Sequence, residues 1–162
     1  MLLFALEAHL GVNIQLNHPV ISWIVSHAGY IATHYMIKSD GRTPYEKLKG
    51  KETKKEMCEI GEKVHYMPLK GKHGRASLDQ RFDIGIWLGI NERNSEVFVA
   101  TADGNMVGAR SIKRMAPDQC WDKDMVQAIK GVPWNLVGTE ERVELAFEQE
   151  LLVLLGREAR PY

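Results

Sequence analysis

Eight side chains carry most of the chemistry this sequence offers: Lys70, Lys72, His73, Arg75, Arg81, Arg110, Lys113 and Arg114. Five sit in one polar stretch and three close a later apolar-basic run. Lysine and arginine in this density neutralise phosphate oxygens and release the counterions around a polyanion. That gives affinity without reading base sequence. Tyr66 and Trp87 lie among them and offer faces on which bases stack, although an aromatic in a small strand-rich unit is more often core. The bland alternative is a plain solvated surface.

No other constellation competes. His27 and His34 are seven apart, with His9 and His18 nearby in sequence. No cysteine or carboxylate stands at helical spacing from them to complete a four-ligand zinc site. Asp79 and Asp83 flank Arg81 at a loop-to-strand junction, where turn and ion-pair roles suit them better than metal binding. Cys58 lies between Glu56 and Glu59, which disfavours a thiolate. Gly71 and Gly74 match neither phosphate-loop nor dinucleotide spacing. No catalytic centre is expected, and no cofactor.

The elements that must hold the basic groups follow from pattern. The chain has 162 residues, 44% hydrophobic and 26% charged, which is globular composition. Its zero formal charge hides segregation: Lys38 to Arg114 holds sixteen Lys/Arg against eleven Asp/Glu, and Ala116 to Tyr162 holds five against nine. A basic middle beside an acidic tail points to an anionic partner. The apolar start is too short for a secretory signal, and Val20 to Ile37 carries Ser22, Ser26, His27, Thr33 and His34, which argues against a membrane span. Two cysteines without paired-motif spacing fit a reduced compartment, so the protein is expected inside the cell, nuclear or cytoplasmic, not secreted.

Residues 2 to 10 form a helix tail with Leu3, Leu6 and Leu10 on one face and Gly11 as its stop. It has no polar cap, and the chain is expected to enter its fold part-way. Asn17 or His18 caps a second helix with Pro19 at its first position. Ile21, Ile24, Ala28, Ile31 and Tyr35 are its expected core face, and Ser22, Ser26, Gly29 and Thr33 the opposite one. Thr43-Pro44-Tyr45-Glu46 is a capping box opening a short helix that Gly50 stops. From Glu62 the period becomes two. Strands are expected at Lys63 to Met67, Phe82 to Ile90, Glu96 to Thr101 and Asn105 to Arg114, with Asp103-Gly104 as a type I′ hairpin turn. Beyond Met115, Cys120-Trp121 and Val132-Pro133-Trp134 read as anchors of an extended segment. A terminal helix is expected over Glu140 to Leu155, with Thr139 as its cap.

These motifs occur in an order that resembles the end of the integrase in copia-type retrotransposon polyproteins. Thr43-Pro44-Tyr45-Glu46 with Lys49-Gly50-Lys51 is similar to that family's TPYE…GK signature. Ile60-Gly61-Glu62-Lys63-Val64, Arg75-Ala76-Ser77-Leu78-Asp79 and Gly85-Ile86-Trp87-Leu88-Gly89 resemble the segments after it. Gly131-Val132-Pro133-Trp134 resembles the connector toward a reverse transcriptase region. The likeness runs from about Leu2 to Trp134.

The resemblance implies an α+β chain in four parts. Residues 1–50 would be the last helices of a ribonuclease-H-like core and 51–60 a linker. Residues 61–115 would form an SH3-like barrel that grips DNA, and 116–162 a connector and C-terminal helix. Integrases of this kind bind two divalent metal ions, Mg2+, on three acidic residues. None of the three matches a residue here, Glu7 included, so the expectation is a non-catalytic, DNA-binding fragment of an integrase. Its partners would be DNA, held through phosphates, and the remainder of the polyprotein. The rival expectation is an SH3-like protein-interaction or homo-oligomerisation module that binds no nucleic acid.

Overall fold

A computed structural model describes residues 1–55, 57–68 and 82–136. The element order is α1 (Leu2–Leu10), α2 (Pro19–His34), α3 (Pro44–Lys49), β1 (Lys63–Pro68), β2 (Asp83–Ile90), β3 (Val97–Ala100), β4 (Met106–Arg114) and α4 (Lys123–Gln127). The protein is therefore α+β, with helices around a small barrel. No helix among the described residues is long and apolar enough to cross a membrane.

The helices begin where their caps dictate. The His18 imidazole accepts from the Val20 N–H at 3.2 Å and Pro19 opens α2. At α3 both arms of the capping box are made: Glu46 N–H to Thr43 Oγ1 at 3.2 Å, and Thr43 N–H to Glu46 Oε2 at 2.7 Å. Gly11 and Gly50 close α1 and α3.

The face that α2 buries differs from the expected one. Val20, Trp23, Ile24, His27, Tyr30 and His34 face inward, whereas Ala28 is exposed and Ile21, Ile31 and Tyr35 are only half-buried. The stripe is still helical, at i, i+3, i+4 and i+7, but it is rotated toward the large rings. Burying Trp23 and Tyr30 removes more apolar area from water than burying Ala28 and Ile31.

The four strands pair antiparallel and close on themselves in the order β1-β2-β3-β4. Register pairs Val64 with Gly85, Trp87 with Val99, Val99 with Val107, and Tyr66 with Ile112. Closure leaves no bare strand edge. Two register shifts, at Met67/Pro68 and at Trp87/Gly89, bend the strands enough to close so small a cylinder. Four strands were expected, and all four form.

The β3–β4 turn is not the type I′ turn that Asp103-Gly104 suggested. Type I′ needs positive φ at both central residues. Only Gly104 adopts it, at φ +82, and Asp103 does not. The loop is longer, with Thr101 N–H bonded to the Asn105 carbonyl at 2.8 Å. Gly104 is fixed here by its neighbours, because the carbonyl oxygen of Ala128 occupies the place a Cβ would take.

One apolar cluster runs through helices and barrel. Leu6, Val20, Trp23 and Ile24 join Val64, Tyr66, Ile86, Trp87, Leu88 and Val99, and Val126 and Ile129 complete it. Gly61, at φ +85, gives up its side-chain position to Leu6, which seats α1 on the barrel. The Trp23 Nε1–H donates to the Gly131 carbonyl at 2.8 Å. Cys58 and Ile60, in the stretch expected to be a linker, are buried in the same cluster.

The segment after Met115 is not simply extended. Asp122 caps α4 by accepting from the Asp124 and Met125 N–H groups, both at 3.2 Å. Cys120 is buried and Trp121 stacks on His9 with ring centroids 4.1 Å apart, so that anchor holds. Trp134 does not anchor: it is 77% exposed, in the tight turn closed by the Val132–Asn135 bridge. The expected helix over Glu140 to Leu155 lies outside the described residues.

Candidate nucleic-acid interface

Of the eight basic residues, Lys70, Lys72, His73, Arg75 and Arg81 lie outside the described residues. Arg110, Lys113 and Arg114 all lie on β4, and the strand gives them different surroundings.

Arg114 is committed to the protein. Its Nε donates to Glu62 Oε1 at 2.7 Å and its Nη2 to Glu62 Oε2 at 2.9 Å. The Glu62 side chain is 2% exposed, whereas that of Arg114 is 58% exposed. Glu62 also accepts from the Glu59 N–H at 3.1 Å. The hydrogen bond and charge of Glu62 raise the already high pKa of Arg114. A buried carboxylate needs such a partner, and the two-pronged guanidinium geometry supplies it.

Lys113 and Arg110 are outward. The Lys113 ammonium lies 4.6 Å from the centroid of the Phe82 ring, a cation–π contact that leaves the charge in solvent. Arg110 is 79% exposed on its side chain, and among the described residues its ion-pair contact is a long one, 3.7 Å, to Glu96. Pairing in the barrel places His65 opposite Lys113 on β4 and opposite Ile84 on β2. The outer surface of β1 and β4 thus carries Lys113 and His65 side by side, with Phe82 beneath the ammonium.

Tyr66 and Trp87, the two rings considered for base stacking, are buried at 4% and 1% exposure and belong to the core. Both cysteines are buried and neither is in a disulfide, and burial pushes the Cys120 thiol pKa up. Among the described residues no group of three histidine, cysteine or carboxylate side chains converges on a metal position. His34 makes a 3.0 Å hydrogen bond to the Tyr30 carbonyl and packs between the rings of Tyr30 and Tyr45.

Sequence reasoning missed a second feature. Between α2 and the loop that joins β2 to β3 lies a cavity of about 290 Å3, with Trp23, His27, Tyr30 and Phe98 among its walls. No periodicity could reveal it, since its walls come from separate elements.

No protein-family model, curated protein or solved structure matches the chain.

Proposed function

We propose that the chain is a DNA-binding portion of a copia-type integrase, gripping duplex DNA through the outer face of β4 and the basic stretch 70–81. In this reading α1 to α3 are the closing helices of a ribonuclease-H-like core, the barrel is SH3-like, and neither carries the acidic metal ligands of strand transfer. The observation that carries the reading is the exposed Lys113 beside His65 on the barrel, with the exposed Arg110 three residues earlier on the same strand. It sits downstream of the capping-box helix, in the motif order of that family. Support also comes from the charge excess of the middle of the chain. Phosphate contacts of this kind position DNA without specifying its sequence.

The test is fluorescence anisotropy with a random-sequence duplex at several salt concentrations. Charge reversal at Lys113, and separately at Lys70, Lys72 and Arg75, should weaken binding. Each cation removed from a phosphate should flatten the plot of log K against log salt by about 0.9. Salt-insensitive binding, or none, rejects the proposal.

One observation favours the interaction-module reading instead. Phe4 and Val25 are 72% and 68% exposed on α1 and α2, beside the small residues Ser22, Ser26 and Gly29. A stable multimer in light scattering, with no nucleic-acid affinity, would favour it.

A further inference from the structure

The barrel surface over β1, β2 and β4 carries more than cations. His65 pairs with Lys113 on one side and with Ile84 on the other, and Met67 pairs with Ser111. Ile84 is 44% and Met67 36% exposed. Half-buried Phe82 lies against the Lys113 ammonium. Phosphate contact uses the charges and leaves the exposed Ile84 and Met67 unexplained. Cations set beside apolar side chains suit a partner that is itself acidic and apolar.

The sequence contains such a partner. Residues 140–150 hold five glutamates, Glu140, Glu141, Glu144, Glu148 and Glu150, against Arg142 alone. Val143, Ala146, Phe147, Leu151 and Leu154 recur among and after them at helical spacing. The structure shows where this segment sets out. Met106 Cγ and the Leu136 carbonyl oxygen crowd one point, 2.5 and 2.6 Å from where a Cβ on Gly131 would sit. Leu136, the last described residue, therefore lies at the start of β4. The Lys130 N–H, bonded to the Gly104 carbonyl at 3.1 Å, holds the preceding stretch there.

We propose that residues 140–151 dock on this face of the barrel, with Glu144 and Glu148 on Arg110 and Lys113, and Val143 and Phe147 toward Met67 and Ile84. The reach agrees. Arg110 and Lys113 lie ~13 and ~23 Å along β4 from Met106, at ~3.3 Å per residue. An extended 137–139 followed by a helix puts Glu144 and Glu148 roughly 18 and 24 Å from Leu136. The contact of Arg110 with Glu96, at 3.7 Å, is long enough to be exchanged. A short tether supplies an effective concentration in the millimolar range, so individually weak contacts suffice. The docking stands on barrel and tail alone. Its regulatory consequence rests on the duplex-binding reading: a docked tail covers Lys113 and excludes DNA.

Amide NMR of the full chain carrying a nitroxide on Gln149→Cys tests the docking. Cys58 and Cys120 are buried, which directs the label to the new thiol. The amides of His65, Met67, Ile84 and Lys113 should broaden, and salt should weaken the effect. Arg110→Glu with Lys113→Glu should abolish it, as should Glu144→Lys with Glu148→Lys. All four together should restore it, which misfolding could not do. The proposal is overturned by broadening centred on Phe4 and Val25, the exposed apolar side chains of α1 and α2. It is equally overturned by broadening that survives both reversals, or that appears only between a nitroxide-bearing chain and a second, isotope-labelled one. Anisotropy with the random-sequence duplex reads the consequence. Glu144→Gln with Glu148→Gln should tighten DNA binding about threefold or more, as freeing a face covered two-thirds of the time requires; unchanged affinity overturns the exclusion. A duplex that does not bind, with the broadening and its charge swap intact, rejects the duplex-binding reading and keeps the docking. Duplex binding without broadening rejects the docking alone.

Discussion

Arg114→Met separates two roles that sequence alone leaves merged, phosphate contact and structural ion pair. In the structure the substitution removes both prongs of the guanidinium from a carboxylate that is 2% exposed. Breaking a wholly buried pair costs about 3–5 kcal/mol, and an exposed pair about 0–1 kcal/mol. Arg114 keeps 58% of its side chain in water, and Glu62 retains the Glu59 N–H, so the loss belongs between those limits. A value of about 2 kcal/mol follows. For a chain of this size it lowers Tm by about 4–8 °C. Thermal melts followed by circular dichroism measure that. The salt slope of DNA binding, measured on the same protein below its melting range, should not change. Arg114→Lys keeps the charge but loses the two-pronged geometry, and should recover only part of the stability. Replacing both partners, Glu62→Leu with Arg114→Met, should recover more than Arg114→Met alone, since no buried charge is stranded. An Arg114→Met protein that melts within about 1 °C of the parent while its salt slope falls by about 0.9 refutes the assignment.

Gly104→Ala must force a methyl group toward the Ala128 carbonyl at φ +82, and should cost more than about 1 kcal/mol in urea unfolding; a neutral outcome would mean the turn relaxes freely. Trp23→Phe removes the donor to the Gly131 carbonyl and should cost about 1–3 kcal/mol, read from the same titration. The Tyr30 pKa of about 12 lies above the ordinary phenol value of 10.0, so its stabilisation is complete below that ordinary value and is lost as pH rises through the folded one. Chemical denaturation of Tyr30→Phe across that alkaline window should show a shallower fall in stability than the parent, and an equal fall would exclude the burial of the phenol.

Much of the fold was legible because local chemistry and global packing agree. His18-Pro19 and Thr43-Pro44-Tyr45-Glu46 cap helices by bonds within a few residues, and the period of two after Glu62 marks strands whose alternate residues fill a barrel. The face of α2 was misplaced because its aliphatic residues at helical spacing compete with a second stripe of Trp23, His27 and Tyr30, and only the barrel surface decides between them. The five residues of α4 bury Val126 alone, too little to leave a periodic signal. The site was less legible for a related reason. Arg114 has the residue type of a phosphate ligand, but its partner Glu62 lies 52 positions away, and nothing in either neighbourhood announces the pair. The cavity walls are likewise assembled by closure of the barrel against α2.

Two bonds of α2 and its cap reach far along the chain: Trp23 to the Gly131 carbonyl, 108 positions on, and His18 to the Gln127 carbonyl, 109 positions on. Proteins are made from the amino end, so α2 leaves the ribosome well before either acceptor exists. Its indole must wait, unsealed, through translation of the entire barrel. The stretch around α4 and Gly131 is thus the latch of the assembly, and the order of synthesis makes it the last described piece to arrive.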